Sequence, residues 1–514
     1  MKPLEIHRAL ISVSQKDGLI KFSKFLADKG VEILSTGGTA KALRQEDIPV
    51  KDVSQFTGMK EVMEGRLKTL HPKVLGGILA KRTREHLDSL EEIGGAPIDL
   101  IVVNFYPFEE AAKVKSTTLP ELIEKIDIGG PSMVRAAAKN NDWVVVVTDP
   151  KDYDVIIGEI KEQGGVTAET RLRLAAKAFE FTARYDCAIA GKLSSVVSKE
   201  GSDFPPVLPL VFNKVEDLRY GENPHQKAAF YRDQESYLGR LIQHQGKELS
   251  YNNILDLDAA WALVCDLPKT ACAIIKHTNP CGVGLGETAE KAFLRAKETD
   301  PLSAFGGIVA FNVPVDAAAV EALKDMFLEV VVGPRFEKEA LDILSKKKNL
   351  RVISITETKP FDGYNYKRVA GGMLVQENDL FAGDTERKVV TKRAPTGAEM
   401  SAMELGWIIC KHVKSNAIVL VDSTGTVGVG AGQMSRVDSV KIATKMKAYK
   451  DTKGCVAASD AFFPFPDGVE ELAAAGITAV IQPGGSIRDN EVIETADKLG
   501  VAMVFSGRRH FRHG

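Results

Sequence analysis

Three things are scarce in this sequence: paired cysteines, surplus charge and long apolar runs. The six cysteines, at 187, 265, 272, 281, 410 and 455, never form a Cys-x-x-Cys pair. That argues against a structural zinc knuckle and a disulfide scaffold. Several stand inside apolar stretches, as buried thiols of a reducing compartment do. With 67 Lys and Arg against 69 Asp and Glu, the formal net charge is -2, which gives no electrostatic case for nucleic acid or an anionic membrane as partner. No apolar run reaches the roughly 20 residues of a membrane span, and Met1–Arg8 is polar with no signal-peptide core. These absences predict a soluble, cytoplasmic protein. What is present is ordinary globular material, 44% hydrophobic and 26% charged over 514 residues. A chain of that length exceeds a single core and predicts roughly two to four domains.

The first part alternates strand and helix signals. Ala9–Ser14 reads as a strand, and Asp17 as the cap of a helix with Leu19, Ile20, Phe22, Phe25 and Leu26 on one face. Val31–Ser35 is a second strand running into Thr36-Gly37-Gly38-Thr39, with a helix from about Ala40. Strand, glycine turn, helix is a phosphate cradle or simply a tight connection. Gly65–Pro72 contributes Arg66, suited to bidentate phosphate contact, and Lys68, a point charge, although most basic loops are only solvated. Further strands are expected at Ile98–Phe105, with Tyr106 at its exit, and at Trp143–Thr148. Between them Ile126–Pro131 turns into a helix from Ser132 that carries Arg135 and Lys139. Asp127 and Lys139 are either an ion pair or plain surface charge. A long amphipathic helix over Thr167–Leu193 closes the unit. This alternation implies a mainly parallel sheet covered on both faces.

A Pro-rich connector at 199–209 marks the boundary. Beyond it, Leu218–Gln226 gathers a cation, an aromatic and amides in a loop bounded by Gly and Pro. Ser250–Asn253 is expected to end a strand and Leu255–Cys265 to form a helix. The apolar strand Ala271–Ile275 then leads into Lys276-His277-Thr278-Asn279-Pro280-Cys281-Gly282. Asn-Pro is expected to push the chain into a loop, leaving Lys276 and His277 at a strand exit. A neighbouring ammonium favours the neutral, base-competent imidazole and can stabilise an oxyanion. The plain alternative is a strand-end histidine beside a solvated lysine. Asp300–Gly307 precedes a strand at Ile308–Phe311, and Glu329 closes a helix before Val330. Arg368–Val375 reads as one interrupted strand and Phe381–Pro395 as a connection. Glu404–Val413 is helical, Lys414-Ser415-Asn416 enters the strand Ala417–Val421, and Gly428, Gly430 and Gly432 match a nucleotide-loop pattern only weakly. Ser459–Asp467 is an aromatic segment, Gln482–Ser486 a strand-exit turn, and Arg508–His513 a basic tail that either reaches an active site or hangs free.

Taken in order, these segments resemble the AICAR formyltransferase/IMP cyclohydrolase family, essentially end to end. The motifs are long: Ser35–Thr39, Arg66–Pro72, Ile126–Gly130, Arg135–Lys139, Arg219–Gln226, Lys276–Gly282, Gly430–Gln433 and Ser459–Pro464. The resemblance implies an α/β fold with a methylglyoxal-synthase-like parallel-sheet cyclohydrolase domain over 1–199. A cytidine-deaminase-like formyltransferase region is implied over 200–514, as two similar subdomains splitting near 380. It implies transfer of a formyl group from 10-formyltetrahydrofolate, a co-substrate, to the amine of AICAR, and closure of the product FAICAR to IMP. By the same resemblance His277 is the base, Lys276 steadies the oxyanion and Asn416 orients His277 and the amine. Arg219, Tyr220, Gly306, Glu329, Phe462 and Arg509 hold AICAR, and Arg436, Asp467, Ser486 and Ile487 meet the folate. For ring closure it implies Lys139 paired with Asp127, Lys68 and Tyr106 at the oxyanion, and a nucleotide cradle of Ser14, Lys16, Thr36, Gly37, Gly38, Thr39, Arg66, Lys68, Thr69, Asn104, Asp127 and Ile128. A homodimer without catalytic metal is implied too. Some relatives carry Asp where this chain has Glu329.

Two other classes are weighed. A zinc deaminase needs His-x-Glu and Pro-Cys-x-x-Cys; here His277 is followed by Thr278-Asn279 and Cys281 by Gly282-Val283-Gly284. A nucleotide-sensing module would need the phosphate cradle but not Lys68, Asp127 and Lys139.

Overall fold

The computed structural model describes residues 2–106, 108–114, 116–197, 204–232, 237–357, 363–380, 386–446 and 449–513. The chain divides into two compact units between Val211 and Phe212. The boundary expected at 199/200 lies outside the described residues, as does the start of the connection expected from Phe381.

In the first unit five strands form one parallel sheet: β1 (Arg8–Ser12), β2 (Glu32–Ser35), β3 (Lys51–Asp52), β4 (Leu100–Val103) and β5 (Val145–Val147). Their order is β3-β2-β1-β4-β5. Ala9, Leu10 and Ile11, Ile33 and Leu34, and all of β4 and β5 are buried, so these strands read as unbroken apolar runs rather than alternating ones. The strand order reverses between β1 and β4, and at such a switch point the connections leave in opposite directions, opening a crevice beyond the carboxyl ends of the two strands. Helix Leu19–Asp28 is capped by Gly18 in the left-handed region and not by the Asp17 side chain. Helices expected from Ala40 and Ser132 begin three residues earlier, at Gly37 and Gly129.

The second unit contains a hairpin of β6 (Asn213–Leu218) and β7 (Ala228–Arg232), then β8 (Ile242–Gln245), β9 (Ala271–Lys276), β10 (Asn279–Leu285), β11 (Ile308–Phe311), β12 (Val330–Gly333) and β13 (Arg351–Ser354). A second hairpin, β14 (Tyr364–Val369) and β15 (Gly372–Glu377), replaces the single interrupted strand expected there. β16 (Lys388–Val389), β17 (Ile418–Asp422), β18 (Gly425–Gly430), β19 (Val456–Ser459), β20 (Ala479–Gln482) and β21 (Ala502–Phe505) follow. Twelve strands form one mixed sheet in the order β16-β21-β20-β19-β17-β18-β10-β9-β11-β12-β13-β8. It is a duplication. Outward from the central antiparallel junction of β10 with β18, both halves run antiparallel, antiparallel, parallel, parallel, antiparallel.

Side-chain alternation explains the layers. Ala273 and Ile275 of β9 face a core shared by both halves, built on helices Tyr251–Asp266 and Gly397–Cys410 with Trp261 and Trp407. Cys272 and Ile274 face a separate core under helices Ala289–Lys297 and Ala317–Leu323, and the second half has its own counterpart around Phe463. The alternating glycines of β18 serve this packing. A Cβ at Gly428 would lie 2.1 Å from the Ala443 carbonyl oxygen and one at Gly430 only 1.9 Å from that of Ser439. They admit a helix against the strand and form no phosphate loop. Ser250 ends no strand: it caps helix Tyr251–Asp266 in a capping box with Asn253. Glu329 belongs to no helix and directly precedes β12.

Candidate active sites

The Lys276-His277 segment is a tight hairpin rather than an open loop. β9 and β10 pair Lys276 with Asn279, which leaves only His277 and Thr278 between them. Both have positive φ, 53° and 62°, as a two-residue primed turn requires. Left-handed backbone is costly for these residue types. Asp256 offsets it by accepting the N–H of His277 on Oδ2 (3.2 Å) and that of Thr278 on Oδ1 (2.6 Å). The imidazole is thereby held at an exposed tip. The loop expected after Asn279-Pro280 is not formed; those residues open β10, and a register shift between Pro280 and Gly282 absorbs the missing donor. Lys276 Nζ donates to the Phe305 carbonyl at 2.8 Å.

A cleft of about 2440 Å³ surrounds this turn, and Arg219, Tyr220, Lys276, His277, Gly306, Glu329 and Arg509 all line it. The Arg219 guanidinium lies over the Tyr220 ring and that of Arg509 over the Phe511 ring. Glu329 accepts from Arg351 Nη1 at 2.8 Å. The basic tail does not hang free: the His510 N–H donates to the Asp460 carbonyl and the Arg512 N–H to Ser415 Oγ, both at 3.0 Å.

Asn416, Phe462, Arg436, Asp467, Ser486 and Ile487 are not among the residues lining this cleft. Strand directions nevertheless put them on the same edge of the sheet. That edge takes the carboxyl end of β9, the amino ends of β11 to β13, the amino end of β17 and the carboxyl ends of β19 to β21. Asn416 makes no hydrogen bond to His277. Its amide donates to the carbonyls of Gln433 (2.8 Å) and Met434 (3.1 Å), and its oxygen accepts from Arg436 Nη2 (2.7 Å). Coupling to the turn runs through Asn279, whose Nδ2 donates to the His277 carbonyl and whose Oδ1 accepts the Lys414 N–H at 3.0 Å. Arg436 is itself committed, its Nη1 donating to Ser459 Oγ (2.8 Å) and to the fully buried Asp460 (2.5 Å). Phe462, Asp467 and Ile487 are exposed, Ile487 entirely so, and Ser486 Oγ accepts the Arg488 N–H.

Asp256, Asn279 and a buried trio of Asp266, Lys411 and His412 were not singled out from the sequence. Asp266 Oδ2 accepts from Lys411 Nζ and from His412 Nε2, each at 2.6 Å. Burial pushes the His412 imidazole down to about 4, with the carboxylate of Asp266 opposing. Asp266 is desolvated but held below its usual range by His412 and Lys411. One signal existed: the Lys-His dipeptide of 276–277 recurs at 411–412.

In the first unit the switch point is closed by Asn104, which follows β4. Its Oδ1 accepts from the Ser14 N–H (2.6 Å) and the Gln15 N–H (3.1 Å), and its Nδ2 donates to the Gln15 carbonyl. Thr39 Oγ1 bonds both the N–H and the carbonyl of Val13, and Ser12 Oγ lies 3.2 Å from Thr36 Oγ1. Helix Gly37–Gln45 opens here without a side-chain cap, so its first amides face outward as an anion cradle does. A Cβ on Gly37 would stand 3.4 Å from Lys68 Nζ, and one on Gly129 2.7 Å from Thr69 Oγ1. The motifs at 36–39, 66–72 and 126–130 therefore converge on one place. Lys68 is paired with Glu61 at 2.8 Å and Arg66 with Glu124; Ser14, Lys16 and Ile128 are exposed. Tyr106 is about half exposed, with Lys125 over its ring.

Asp127 caps the opposite side of this crevice. Its Oδ1 accepts the Gly130 N–H (2.9 Å), and its own N–H donates to Tyr185 Oη (2.7 Å). Burial raises its carboxyl above the ordinary value, against the opposing bonds from the Gly130 and Gly129 amides. The expected pairing with Lys139 is not made. Asp127 precedes helix Gly129–Lys139 and Lys139 ends it, so eleven residues of rise, about 16 Å, separate the helix ends.

A doubly wound unit with an anion cradle at its switch point, joined to a duplicated mixed-sheet unit with a Lys-His turn on one edge, defines a fused enzyme with two chemistries. A family model described as the AICARFT/IMPCHase bienzyme matches residues 137–446, and one described as an MGS-like domain matches residues 18–132. The bifunctional purine biosynthesis protein PurH of Sorangium cellulosum (strain So ce56) is 53% identical, the match covering 99% of this chain and 100% of that protein. PurH of Halalkalibacterium halodurans is 52% identical over 98% of this chain and 99% of that protein. PurH of Acidithiobacillus ferrooxidans is 53% identical over 99% and 100%. The chain belongs to the AICARFT/IMPCHase bienzyme family and is a bifunctional AICAR formyltransferase/IMP cyclohydrolase of purine biosynthesis. Among the described residues no helix is long and apolar enough to cross a membrane, and no group of three or more His, Cys, Asp or Glu is placed to hold a metal ion.

Proposed function

We propose that the two activities divide between the two units, with ring closure over 1–199 and formyl transfer over 200–514, the latter as two cytidine-deaminase-like subdomains splitting near 380. The observation that carries this is the single sheet edge that collects His277, Gly306, Glu329, Asn416 and Arg509. The proposed co-substrate is 10-formyltetrahydrofolate. The AICAR amine is a poor nucleophile because its lone pair is delocalised into the imidazole and carboxamide. As its nitrogen bonds to the formyl carbon and the carbon–nitrogen bond to the folate breaks, His277 takes the amine proton, which ends on the folate nitrogen. Lys276, fixed by the Phe305 carbonyl, faces the tetrahedral oxyanion. Arg219, Tyr220, Gly306, Glu329, Phe462 and Arg509 hold the ribotide. Asp467 offers an exposed acceptor and Ile487 an exposed apolar side chain, a pairing that fits a flat heterocycle with a donor edge; Ser486 adds a hydroxyl. Arg436, tied to Asp460, acts by fixing Asn416.

For closure, the carboxamide nitrogen of FAICAR bonds to the formyl carbon, and the formyl oxygen leaves as water with one proton from each nitrogen. Asp127, kept protonatable by burial, moves a proton, while Lys68 and Tyr106 stabilise the oxyanion. Ser14, Lys16, Thr36–Thr39, Arg66, Thr69, Asn104 and Ile128 cradle the nucleotide, whose phosphate competes with Glu61 and Glu124 for Lys68 and Arg66. Lys139 acts from the far end of its helix, where a cation complements the helix dipole and steadies the segment Asp127 caps. A cytoplasmic homodimer acting on small molecules completes the reading. His277→Ala and Lys68→Ala, assayed separately by ultraviolet absorbance for each half-reaction, are expected to lose formyl transfer and ring closure respectively. Loss of both activities in either variant would overturn the division.

A further inference from the structure

The buried trio beneath the formyltransferase cleft has no place in the chemistry above. Asp266, Lys411 and His412 all line the cleft, as does Arg512. His412 gives its Nε2–H to Asp266, so its Nδ1 carries a lone pair, and Arg512 Nη1 stands 3.4 Å from it. Asp266 is already shared between Lys411 and His412. It lends the imidazole an anchor but leaves no charge to neutralise the arginine. Burial keeps that imidazole unprotonated, which is the only form that can accept from a guanidinium.

Arg512 thus differs from the three buried arginines described in this unit. Arg295, Arg351 and Arg436 each pair with a carboxylate. Among the described residues Arg512 has no ion pair, and its side-chain hydrogen bond is to the neutral ring. Its backbone is clamped: the N–H donates to Ser415 Oγ, and the carbonyl accepts the Ser415 N–H, both at 3.0 Å. Ser415 adjoins Asn416. A partly buried cation, fixed in register with the reacting edge, oriented from behind by a neutral acceptor and left without a counter-ion, is what an oxyanion site requires.

We infer that Arg512 is a substrate-anion contact of the formyltransferase site, positioned by the Asp266–His412 pair. This rests on the assignment of formyl transfer to this cleft. The oxyanion has two sources, the phosphate of the ribotide or a carboxylate of the folate tail.

The test is steady-state formyl transfer by the full-length enzyme and its Arg512→Gln and Arg512→Lys variants. AICAR and 10-formyltetrahydrofolate are varied in turn, with ring closure by the same samples as the folding control. Arg512→Gln is expected to raise one KM roughly tenfold or more, as loss of a charge-assisted contact does, with kcat changed far less and ring closure intact. Arg512→Lys should recover part of the loss. A raised KM for AICAR, together with weaker inhibition by inorganic phosphate, identifies the phosphate; a raised KM for the folate identifies the carboxylate. His412→Phe should shift the same KM in the same direction. Both KM values unchanged in an Arg512→Gln enzyme that turns over would overturn the inference alone. Failure of the unmodified enzyme to transfer formyl through this cleft, seen as a fully active His277→Ala, would instead overturn the assignment beneath it.

Discussion

Asp256→Ala isolates the cost of presenting His277. The carboxylate accepts two backbone N–H groups from residues with φ of 53° and 62°. Hydrogen bonds to a charged acceptor contribute about 1.5–3 kcal/mol each when buried, and partial exposure reduces the pair to about 2–3 kcal/mol in all. Should the whole of that stabilise the reactive turn, its loss slows formyl transfer roughly 30- to 160-fold. Ring closure should be unchanged, because both bonds of Asp256 go to the His277-Thr278 turn. The mechanism also predicts a rescue. Thr278→Gly removes the left-handed penalty at that position, so the double variant should transfer formyl faster than Asp256→Ala alone. Rates with saturating AICAR and formylfolate, followed by ultraviolet absorbance alongside thermal melts, decide the matter. A full-rate Asp256→Ala enzyme, or a double variant slower than the single, would refute the account of the turn.

Gly430→Ala should lower the melting temperature, because its methyl would meet the Ser439 carbonyl at 1.9 Å; overpacking of this kind costs about 1–3 kcal/mol, and nucleotide affinity measured by calorimetry should not follow. Asp127→Asn should slow ring closure yet raise stability near neutral pH. The folded carboxyl titrates above its unfolded value, so the stability it contributes is present at low pH and lost as pH rises through the folded value; the variant's advantage in urea melts should therefore vanish on acidification. His412 has the opposite sign. Its folded value of about 4 lies below 6.5, so stability is lost as pH falls through that window, and His412→Gln should flatten the decline in the urea midpoint.

Buried strands were the most legible part of the sequence. Ala9–Ile11, Leu100–Val103 and Ile418–Val421 are apolar throughout because both sheet faces are covered, and no turn chemistry competes with that signal. Helix starts were read late at Gly37 and Gly129, since glycine argues against helix although it serves well in a first turn that opens onto an anion site. The pair β14 and β15 was read as one strand because Gly371-Gly372 looks like an interruption, whereas the turn is Ala370-Gly371 and Gly372 already opens β15. The candidate site residues were legible as chemical types in motifs, but their wiring was not. Asp256 meets a turn that begins 21 residues away, and Asp266 meets His412 across 146. Contacts that distant leave no periodicity. The Asp127–Lys139 pair failed for the converse reason: proximity in a motif says nothing once a helix of three turns lies between.

Duplication also sets the two edges of the large sheet apart. The reversal of strand direction across the β10–β18 junction puts the amino ends of β11 to β13 beside the carboxyl ends of β19 to β21 on one edge. The opposite edge must then hold the reciprocal set, with the turn Ser423-Thr424 in the place of His277-Thr278. Three polar groups there satisfy themselves within the fold. Asp422 accepts the N–H of Thr424 and Gly425 and pairs with Arg295 at 2.8 Å. Arg393 spends its guanidinium on Glu399 and on the carbonyls of Thr478 and Gly500. Asn312 bridges Ala271, Leu267 and Lys269. On the edge of the proposed site the equivalent turn presents His277 to solvent, and Arg512 has no ion pair among the described residues. Buried polar groups that satisfy one another stabilise a fold, whereas groups left open cost stability and can bind. By that argument the open groups of the proposed edge are the ones placed to bind, and the closed ones of the other edge hold the duplicated sheet together.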